Sequence, residues 1–262
     1  MDRESSKIAE LPGQPKPPPG PKRGRGIYLL PNLLTTAALF AGFYAVLAAM
    51  NGEFEKAALA IFVAMIMDGL DGRVARMTKT QSAFGAEYDS LSDMVAFGLA
   101  PSLVMYEWAL FQLGKAGWLA AFIYTAGAAL RLARFNANLA TADKRFFQGL
   151  PSPAAAAVLA GAVWSAVDNG MAAESVAWLA GILTGLTGLL MVSNFRFHSF
   201  KQIDLHGRVP FLVVVGVMVF FAVVLTEPPL ILFGLFLIYA LSGLVRWAYV
   251  RLRLLRRRNR AA

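Results

Sequence analysis

The chain has 262 residues, of which 57% are hydrophobic and 16% are charged, and its formal net charge is +9 at pH 7. This composition is too apolar for a soluble domain of this length, so it predicts a membrane protein that crosses the bilayer several times. The basic residues are spread over segments between apolar stretches and do not form one folded patch, which argues against nucleic acid as a partner. The sequence contains no cysteine, which excludes disulfides, thiol nucleophiles and cysteine metal sites.

Residues 1–26 form the first predicted element. They contain six of the thirteen prolines and almost no apolar run, which is typical of a disordered basic tail. Eight apolar stretches follow, each long enough or nearly long enough to cross ~30 Å of hydrocarbon. They run over residues 27–50, 56–73, 85–110, 117–135, 151–167, 175–192, 209–226 and 229–250. The sequence therefore predicts an all-α, polytopic membrane helix bundle of about eight transmembrane helices.

The placement of Lys and Arg predicts the orientation of the bundle. With eight spans and both termini in the cytosol, 23 of the 25 basic residues fall on the cytosolic side, and only Lys56 and Lys115 lie opposite. This asymmetry is the one expected of a multi-pass protein of the inner, or plasma, membrane. The last segment, residues 251–262, is a basic cytosolic tail, which can bind anionic headgroups of the lipid bilayer or simply anchor the topology.

Four aspartates lie near the ends of two consecutive apolar stretches. Asp68 and Asp71 are three residues apart near the end of the second stretch, and Asp89 and Asp93 are four residues apart near the start of the third. Each pair therefore shares a helix face. In an antiparallel hairpin, two residues on opposite helices lie at the same depth when their residue numbers add to a constant. This rule pairs Asp68 with Asp93. Gly72 pairs with Asp89 in the same way, so the four carboxylates are expected at one depth.

Four carboxylates at one depth need cations, and carboxylate oxygens suit magnesium, manganese or calcium. The plainer alternative is a set of interfacial helix caps or a solvated face. Charges at a membrane boundary rarely cluster with one sign, which favours the functional interpretation. The orientation predicted from the basic residues also puts the aspartates on the cytosolic side.

The pattern D-x2-D-G-x2-A-R-x8-G-x3-D-x3-D runs from Asp68 to Asp93. At every defined position it resembles the signature of the CDP-alcohol phosphotransferases. The resemblance implies a two-metal site, with manganese or magnesium, at which an alcohol displaces CMP from a CDP-linked lipid. It implies that Asp68, Asp71 and Asp89 are metal ligands. It further implies that Asp93 is the catalytic base and shares the second metal, and that the protein is a homodimer.

Small residues and one arginine flank the aspartates and are the expected contacts of the CDP-lipid. Gly72 and Gly85 lack side chains that would keep a ligand away, and Ala75 is small enough to admit a cytidine ring or its ribose. Arg76 lies one turn beyond Gly72 and can direct a positive charge at the phosphates. A snorkelling arginine is the alternative for Arg76.

The first apolar stretch opens with Pro31-Asn-Leu-Leu-Thr-Thr36, which resembles the corresponding stretch of the phosphatidylserine synthase branch of the family. Asn32 and Thr35 are therefore expected to reach the nucleotide. An equally good account is a helix that begins with Pro-Asn and whose threonines bond back to its own backbone.

The fourth stretch ends in the motif R-x-A-R-F-N, with Arg131, Arg134 and Asn136, and G-L-P-S-P-A-A-A, with Ser152, follows it. These motifs resemble the CDP-diacylglycerol:serine branch, and the resemblance implies CDP-diacylglycerol and L-serine as substrates. A zwitterionic acceptor needs a cation for its carboxylate, which a guanidinium supplies. Two arginines here also satisfy the positive-inside tendency, so they can instead be topology anchors.

The resemblance runs from about Pro31 to Lys201, which predicts a catalytic core of about six helices over residues 27–201 and two additional helices over residues 202–250. Acceptors such as glycerol 3-phosphate or choline are the alternatives within the family. A cation-coupled transporter is the alternative from another class, because carboxylates in membranes also mark ion pathways. All four aspartates lie on one side, and no charged residue continues a path through the middle of a span, which argues against a transporter.

Overall fold

The computed structural model describes residues 29–80, 82–137, 146–198 and 211–261. The tail predicted over residues 1–26 lies outside these ranges. The helices of the described residues are α1 (Leu29–Met50), α2 (Phe54–Thr78), α3 (Ala83–Asp93), α4 (Ala100–Trp108), α5 (Lys115–Ala137), α6 (Ser152–Asp168), α7 (Ala173–Val192), α8 (Phe211–Thr226) and α9 (Pro228–Ala261). Each predicted apolar stretch corresponds to one helix, except that α3 and α4 together form the third. The all-α class is confirmed.

Four of these helices are long and apolar enough to cross a membrane. They cover Leu29–Met50, Lys115–Ala137, Ala173–Val192 and Pro228–Trp247. The helices α6 and α8 are apolar but shorter, with 17 and 16 residues. The helix α2 has 25 residues, but its second half carries charged side chains, including those of the aspartate pattern. The architecture is therefore the polytopic helical bundle that the composition predicts.

Small residues allow α1 to approach its neighbours closely. Its buried residues include Ala38, Ala41, Gly42, Ala45 and Ala48. A Cβ on Gly42 would lie 2.7 Å from the Cα of Ala96, so two helix backbones meet at this point. Close packing of small residues is the usual way in which helices associate in a membrane. It holds α1 against α2 and the third span, which carry the aspartates.

A π-helical segment, Met94–Leu99, joins α3 to α4 directly after Asp93. In an α-helix the carbonyl of Phe97 would accept the N–H of residue 101, but residue 101 is a proline and has no N–H. The buried hydroxyl of Tyr124, from α5, donates to this carbonyl at 3.0 Å. The wider helical turn therefore depends on a hydrogen bond from a neighbouring helix.

Two three-residue strands connect the loops at one end of the bundle. Strand β1 (Phe146–Gln148) pairs antiparallel with β2 (Arg196–His198), with Gln148 opposite Arg196. The chain then turns at Gly149, whose φ of 79° favours glycine and whose backbone packs against the carbonyl of Met191. This turn leads directly into α6, so the strand pair fixes the position of the first residues of α6.

The last two helices differ in how they pack. The rings of Phe236 on α9 and Phe62 on α2 are 6.4 Å apart, and Gly243 of α9 lies against the ring of Phe197. In contrast, α8 has no buried residue among those whose side chains are described. The helix α9 thus packs into the bundle. The division into a core over residues 27–201 and an addition over residues 202–250 stays a prediction.

Candidate active site

Three of the four aspartates form a group that suits a metal ion. Asp68 and Asp71 lie on α2 and Asp89 on α3, and each offers one carboxylate oxygen such that all three atoms lie within 4.8 Å of one another. Oxygen ligands lie about 2.0 to 2.6 Å from Mg²⁺ or Ca²⁺, so two ligands of one ion are at most about 5 Å apart. The spacing and the hard oxygen donors therefore fit a divalent cation.

The fourth aspartate lies beside this group. The side chains of Asp93 and Asp68 lie within hydrogen-bonding range across the α2–α3 hairpin, and Asp89 and Arg131 are close enough to interact electrostatically with Asp93. The pairing of Asp68 with Asp93 is the one that the hairpin geometry predicts. Asp93 is outside the group of three that meets the 4.8 Å spacing. It is near both that group and Arg131 of α5.

Asp71 is held by neighbours from two helices. It is 5% exposed, and its Oδ2 accepts a hydrogen bond of 2.6 Å from the hydroxyl of Thr35 on α1. The backbone N–H of Gly72 also donates to it. Thr35 is predicted above as a nucleotide contact, whereas its hydroxyl here bonds a candidate metal ligand and lies 3.1 Å from the carbonyl of Pro31. Such outer hydrogen bonds orient ligating carboxylates.

The other expected CDP-lipid contacts lie around the hairpin. The guanidinium of Arg76 is close to Gly72, with Nη1 3.4 Å from where a Cβ would be. On the opposite helix, the Oδ1 of Asn32 is 3.5 Å from the corresponding position on Gly85. Ala75 is half-buried on α2. The structure thus brings Asn32 to Gly85 and Arg76 to Gly72, one pair on each side of the hairpin.

Thr36 and Tyr88 form a pair that the sequence does not predict. Their hydroxyl oxygens are 2.9 Å apart, and Thr36 also donates to the carbonyl of Asn32 at 2.7 Å. Tyr88 precedes Asp89 on α3, so this contact ties the start of α1 to the helix that carries two of the aspartates. The two consecutive threonines are visible in the sequence. The partner of Thr36 in α3 cannot be predicted from spacing.

The two arginines of α5 point to different partners. Arg131 donates to the hydroxyl of Ser152 at 2.6 Å and lies within electrostatic range of Asp93 and Asp68. Arg134 lies instead at the end of α7, where its Nη1 is 3.4 Å from Oδ1 of Asn194. The structure therefore brings Arg131 near the aspartates and Ser152, whereas the hydrogen bonds of Arg134 go to Ser193 and Asn194 after α7.

Asn136 contacts α3, and Tyr239 of α9 approaches Arg131. The Nδ2 of Asn136 donates to the hydroxyl of Ser90 on α3 at 3.0 Å, between Asp89 and Asp93 in sequence. Tyr239 of α9 lies within electrostatic range of Arg131 and is half-buried. Nothing in the sequence around Tyr239 marks it, because a tyrosine in an apolar helix usually indicates an interface residue.

Comparison with known proteins identifies the family. The family model described as CDP-alcohol phosphatidyltransferase matches residues 28–195, which is more than half of the chain and includes the aspartates and the arginines of α5. The chain is 36% identical over 239 residues to the CDP-diacylglycerol--serine O-phosphatidyltransferase of Helicobacter pylori (strain J99), covering 90% of this chain and 98% of that protein.

Two further relatives carry the same name. The Mycobacterium leprae protein is 31% identical over 226 residues, covering 84% of this chain and 75% of that protein. The Bacillus subtilis protein is 33% identical over 173 residues, covering 66% of this chain and 92% of that protein. The resemblance of the aspartate pattern is confirmed, and the chain belongs to the CDP-alcohol phosphatidyltransferase family of transferases.

Proposed function

We propose that the protein transfers the phosphatidyl group of CDP-diacylglycerol to the hydroxyl of L-serine and gives phosphatidylserine and CMP. The observation that carries this proposal is the position of Arg131, which lies beside Asp93 and the aspartate cluster while Ser152 holds its guanidinium. A carboxylate-binding cation next to a candidate base suits an amino acid as acceptor. The printed names of the relatives support the same reaction.

Asp93 is the proposed catalytic base. In the transfer, the serine oxygen forms a bond to the phosphorus of the phosphatidyl group, and the bond from that phosphorus to the CMP oxygen breaks. The proton of the serine hydroxyl goes to the Asp93 carboxylate, and the leaving electron pair goes to CMP. A positioned carboxylate is a suitable general base for such a step. The proximity of Asp93 to Arg131 supports this role because the two groups can hold the hydroxyl and the carboxylate of one amino acid.

The proposed metal ligands are Asp68, Asp71 and Asp89, with Asp93 sharing a second ion. Their oxygens are hard donors at a spacing that fits Mn²⁺ or Mg²⁺. When bound, such ions neutralise the diphosphate and stabilise the developing charge on CMP. The protein itself contributes the orientation of these carboxylates, and the hydrogen bond from Thr35 to Asp71 is part of it.

The CDP-lipid is proposed to lie along the hairpin. Gly72 and Gly85 have no side chains of their own near the aspartates, Ala75 is small, and Arg76 carries a positive charge towards the phosphates. Asn32 lies next to Gly85 and is the proposed polar contact of the nucleotide. We further propose that both termini and the site face the cytosol at the inner membrane, because 23 of the 25 basic residues then lie on that side. A homodimer is proposed from the family alone.

The acceptor is proposed to bind Arg131 and not Arg134. A guanidinium has five N–H donors, so the contact with Ser152 leaves it capacity to bind a carboxylate. The contacts of Arg134 with Asn194 and the carbonyl of Ser193 give it a different task, which is to hold the end of α7. Asn136 supports the same side of the site through its hydrogen bond to Ser90.

The test is CMP release by purified protein with CDP-diacylglycerol and Mn²⁺ or Mg²⁺, using L-serine, glycerol 3-phosphate or choline as acceptor. We expect L-serine to sustain turnover and the other two to fail. Arg131→Gln should raise the KM for serine by about tenfold to 100-fold, since a hydrogen bond to a charged group contributes about 1.5–3 kcal/mol. The KM for CDP-diacylglycerol should stay unchanged, and Arg131→Lys should restore only part of the serine affinity because it lacks the planar fork.

Arg134→Gln is the matched control, because it removes the same charge three residues away on the same helix. It should leave the KM for serine close to that of the unmodified protein. Turnover with glycerol 3-phosphate or choline at the rate found with serine would overturn the choice of acceptor. An unchanged KM for serine in Arg131→Gln would overturn the assignment of Arg131.

A further inference from the structure

Ser92 is a buried serine between two of the aspartates on α3. It lies three residues after Asp89 and directly before Asp93, and it is only 2% exposed. Its hydroxyl donates to the backbone carbonyl of Thr35 on α1 at 3.1 Å. This hydrogen bond connects the third span to the first and joins residues that are 57 positions apart in the chain. Neither the aspartate pattern nor the hairpin spacing predicts it.

The same residue of α1 also bonds the second helix. The hydroxyl of Thr35 has one proton to donate. Two acceptors lie within its reach, the carboxylate of Asp71 at 2.6 Å and the carbonyl of Pro31 at 3.1 Å. The shorter distance is typical of a hydroxyl that donates to an ionised carboxylate, which is the stronger kind of hydrogen bond. Thr35 therefore contacts α2 through its side chain and α3 through its backbone.

A close contact further along α1 restricts how the third span lies on it. Gly42 is seven residues after Thr35, or about two turns, so both residues lie on the same face of α1. A Cβ on Gly42 would lie 2.7 Å from the Cα of Ala96, which is about one turn after Ser92. The hydrogen bond and the close approach together fix the rotation of the third span and its position along α1.

The position of the third span along α1 decides where Asp89 lies relative to the aspartates of α2. Asp89 and Ser92 are three residues apart on α3 and so share a helix face. The carboxylate oxygens of Asp68, Asp71 and Asp89 lie within 4.8 Å of one another. Because Mg²⁺ demands a near-ideal octahedral geometry, a small shift of α3 along α1 would weaken its binding.

We propose that Ser92 is a positioning residue of the metal site, whose hydrogen bond to the Thr35 carbonyl holds α3 in register so that Asp89 meets the metal ligands of α2. The helix α1 is then a common support for both helices that carry the ligands. This inference rests on the metal site of the proposed function. It needs no assumption about the acceptor, so an error in the choice of L-serine would leave it intact.

The test uses the full-length protein in detergent without substrate and follows its unfolding temperature as Mg²⁺ is added. Ser92→Ala removes the hydroxyl, and Ser92→Cys keeps a side chain of similar size but leaves only a weak donor. Ser102→Ala is the matched control, because Ser102 is a second buried serine of the same span, and its hydroxyl bonds Leu99 and Thr125. Asp89→Ala shows the effect of losing a ligand outright.

We expect Ser92→Ala to raise the Mg²⁺ concentration needed for half of the increase in unfolding temperature by about two- to tenfold, which is the range for one lost hydrogen bond. Ser92→Cys should raise this concentration in the same direction. Asp89→Ala should raise it further, and Ser102→Ala should leave it unchanged. A serine that only packs would lower the unfolding temperature without metal and leave the required Mg²⁺ concentration as it is.

The inference is overturned if both Ser92 variants need the same Mg²⁺ concentration as the unmodified protein while Asp89→Ala needs more. In that case the metal site stands and Ser92 only packs. It is also overturned if Ser102→Ala raises the concentration as much as Ser92→Ala, because the effect would then belong to any buried serine of the span. If Asp89→Ala is itself without effect, the proposed metal site fails and this inference fails with it. Should Ser92→Ala fail to fold, the result for Ser92→Cys decides.

Discussion

Three of the four aspartates have a neighbour from another helix. Thr35 of α1 bonds Asp71 of α2, and the side chains of Asp68 of α2 and Asp93 of α3 lie within hydrogen-bonding range of each other. Because these partners come from different helices, the carboxylates stay together only while α1, α2 and α3 keep their packing. The cluster is thus a property of three helices, although its residues occupy a short part of the sequence.

The substitution Asp93→Asn tests whether Asp93 is the catalytic base. The substitution keeps the shape of the side chain but removes its ability to accept the serine proton, so kcat should fall by about 100- to 10,000-fold. The measurement is CMP release at saturating metal and substrates. Glu87→Gln is the control, because it makes the same chemical change at an exposed position of α3 and should retain activity. Turnover close to normal in Asp93→Asn would show that another group takes the proton.

Sequence spacing predicts the aspartates well because they are connected by one short hairpin. The pairing of Asp68 with Asp93 follows from two helices and a turn, without any knowledge of the rest of the fold. The two arginines of α5 are different. Arg131 and Arg134 are three residues apart and so share a helix face, but only the position of α7 decides that Arg134 bonds Ser193 and Asn194. The proximity of Tyr239 to Arg131 could not be predicted, because it depends on how α9 packs.

The third span contains a π-helical segment, Met94–Leu99, that its own sequence explains only in part. Pro101 removes the N–H that an α-helix would offer to the carbonyl of Phe97. Tyr124 supplies a hydroxyl to that carbonyl, and Ser102 donates to the carbonyl of Leu99 at 2.8 Å. The proline can be read from the sequence. The π-helical segment after Asp93 depends on a hydroxyl from α5 and cannot.

Tyr124→Phe tests this support. Removing the hydroxyl leaves a buried carbonyl without the donor that Tyr124 supplies, which should destabilise the protein by about 1–3 kcal/mol. It should also lower kcat, because the π-helical segment begins directly after Asp93. Thermal unfolding in detergent and CMP release provide the two measurements. Tyr44→Phe, which changes a tyrosine that is 40% exposed on α1, should alter neither. Equal stability of Tyr124→Phe and the unmodified protein would mean that the segment holds without this bond.

The other elements also differ in whether the sequence predicts them. The eight apolar stretches are predicted from composition because hydropathy is a local property. The strands β1 and β2 are not predicted, since three residues are too few to show an alternating pattern and their partners lie about fifty residues apart in the chain. The strand pair nevertheless matters for the site, because it leads through Gly149 to Ser152.

The helix α9 is longer than a helix needs to be to cross the hydrocarbon core of a membrane. Its 34 residues extend over about 51 Å, whereas the hydrocarbon core is about 30 Å thick. The described side chains beyond Trp247 include Arg251, which lies over the Trp247 ring at 5.2 Å, and Arg253, which lies over the Tyr249 ring at 4.5 Å. Aromatic and basic residues together are typical of the membrane boundary. The contact of Gly243 with Phe197 holds this part of α9 beside β2.

The charge balance of the site leads to a prediction for the whole molecule. Three carboxylates with oxygens within 4.8 Å repel one another, and the diphosphate of the substrate adds further negative charge. Removal of divalent metal by a chelator should therefore abolish CMP release, and Mn²⁺ or Mg²⁺ should restore it. Metal should also raise the unfolding temperature of the protein without substrate, because an ion that binds only the folded state stabilises it.

Three single substitutions separate metal binding from a general need for salt. Asp68→Ala, Asp71→Ala and Asp89→Ala should each raise the metal concentration needed for half of the increase in unfolding temperature. Glu107→Gln, at an exposed position of α4, should leave that concentration unchanged. Since this measurement needs no turnover, it detects loss of metal affinity even in an inactive variant. Full activity in a rigorously chelated preparation, or an unchanged metal response in all three aspartate variants, would mean that the repulsion between the carboxylates is relieved in some other way than by a bound ion.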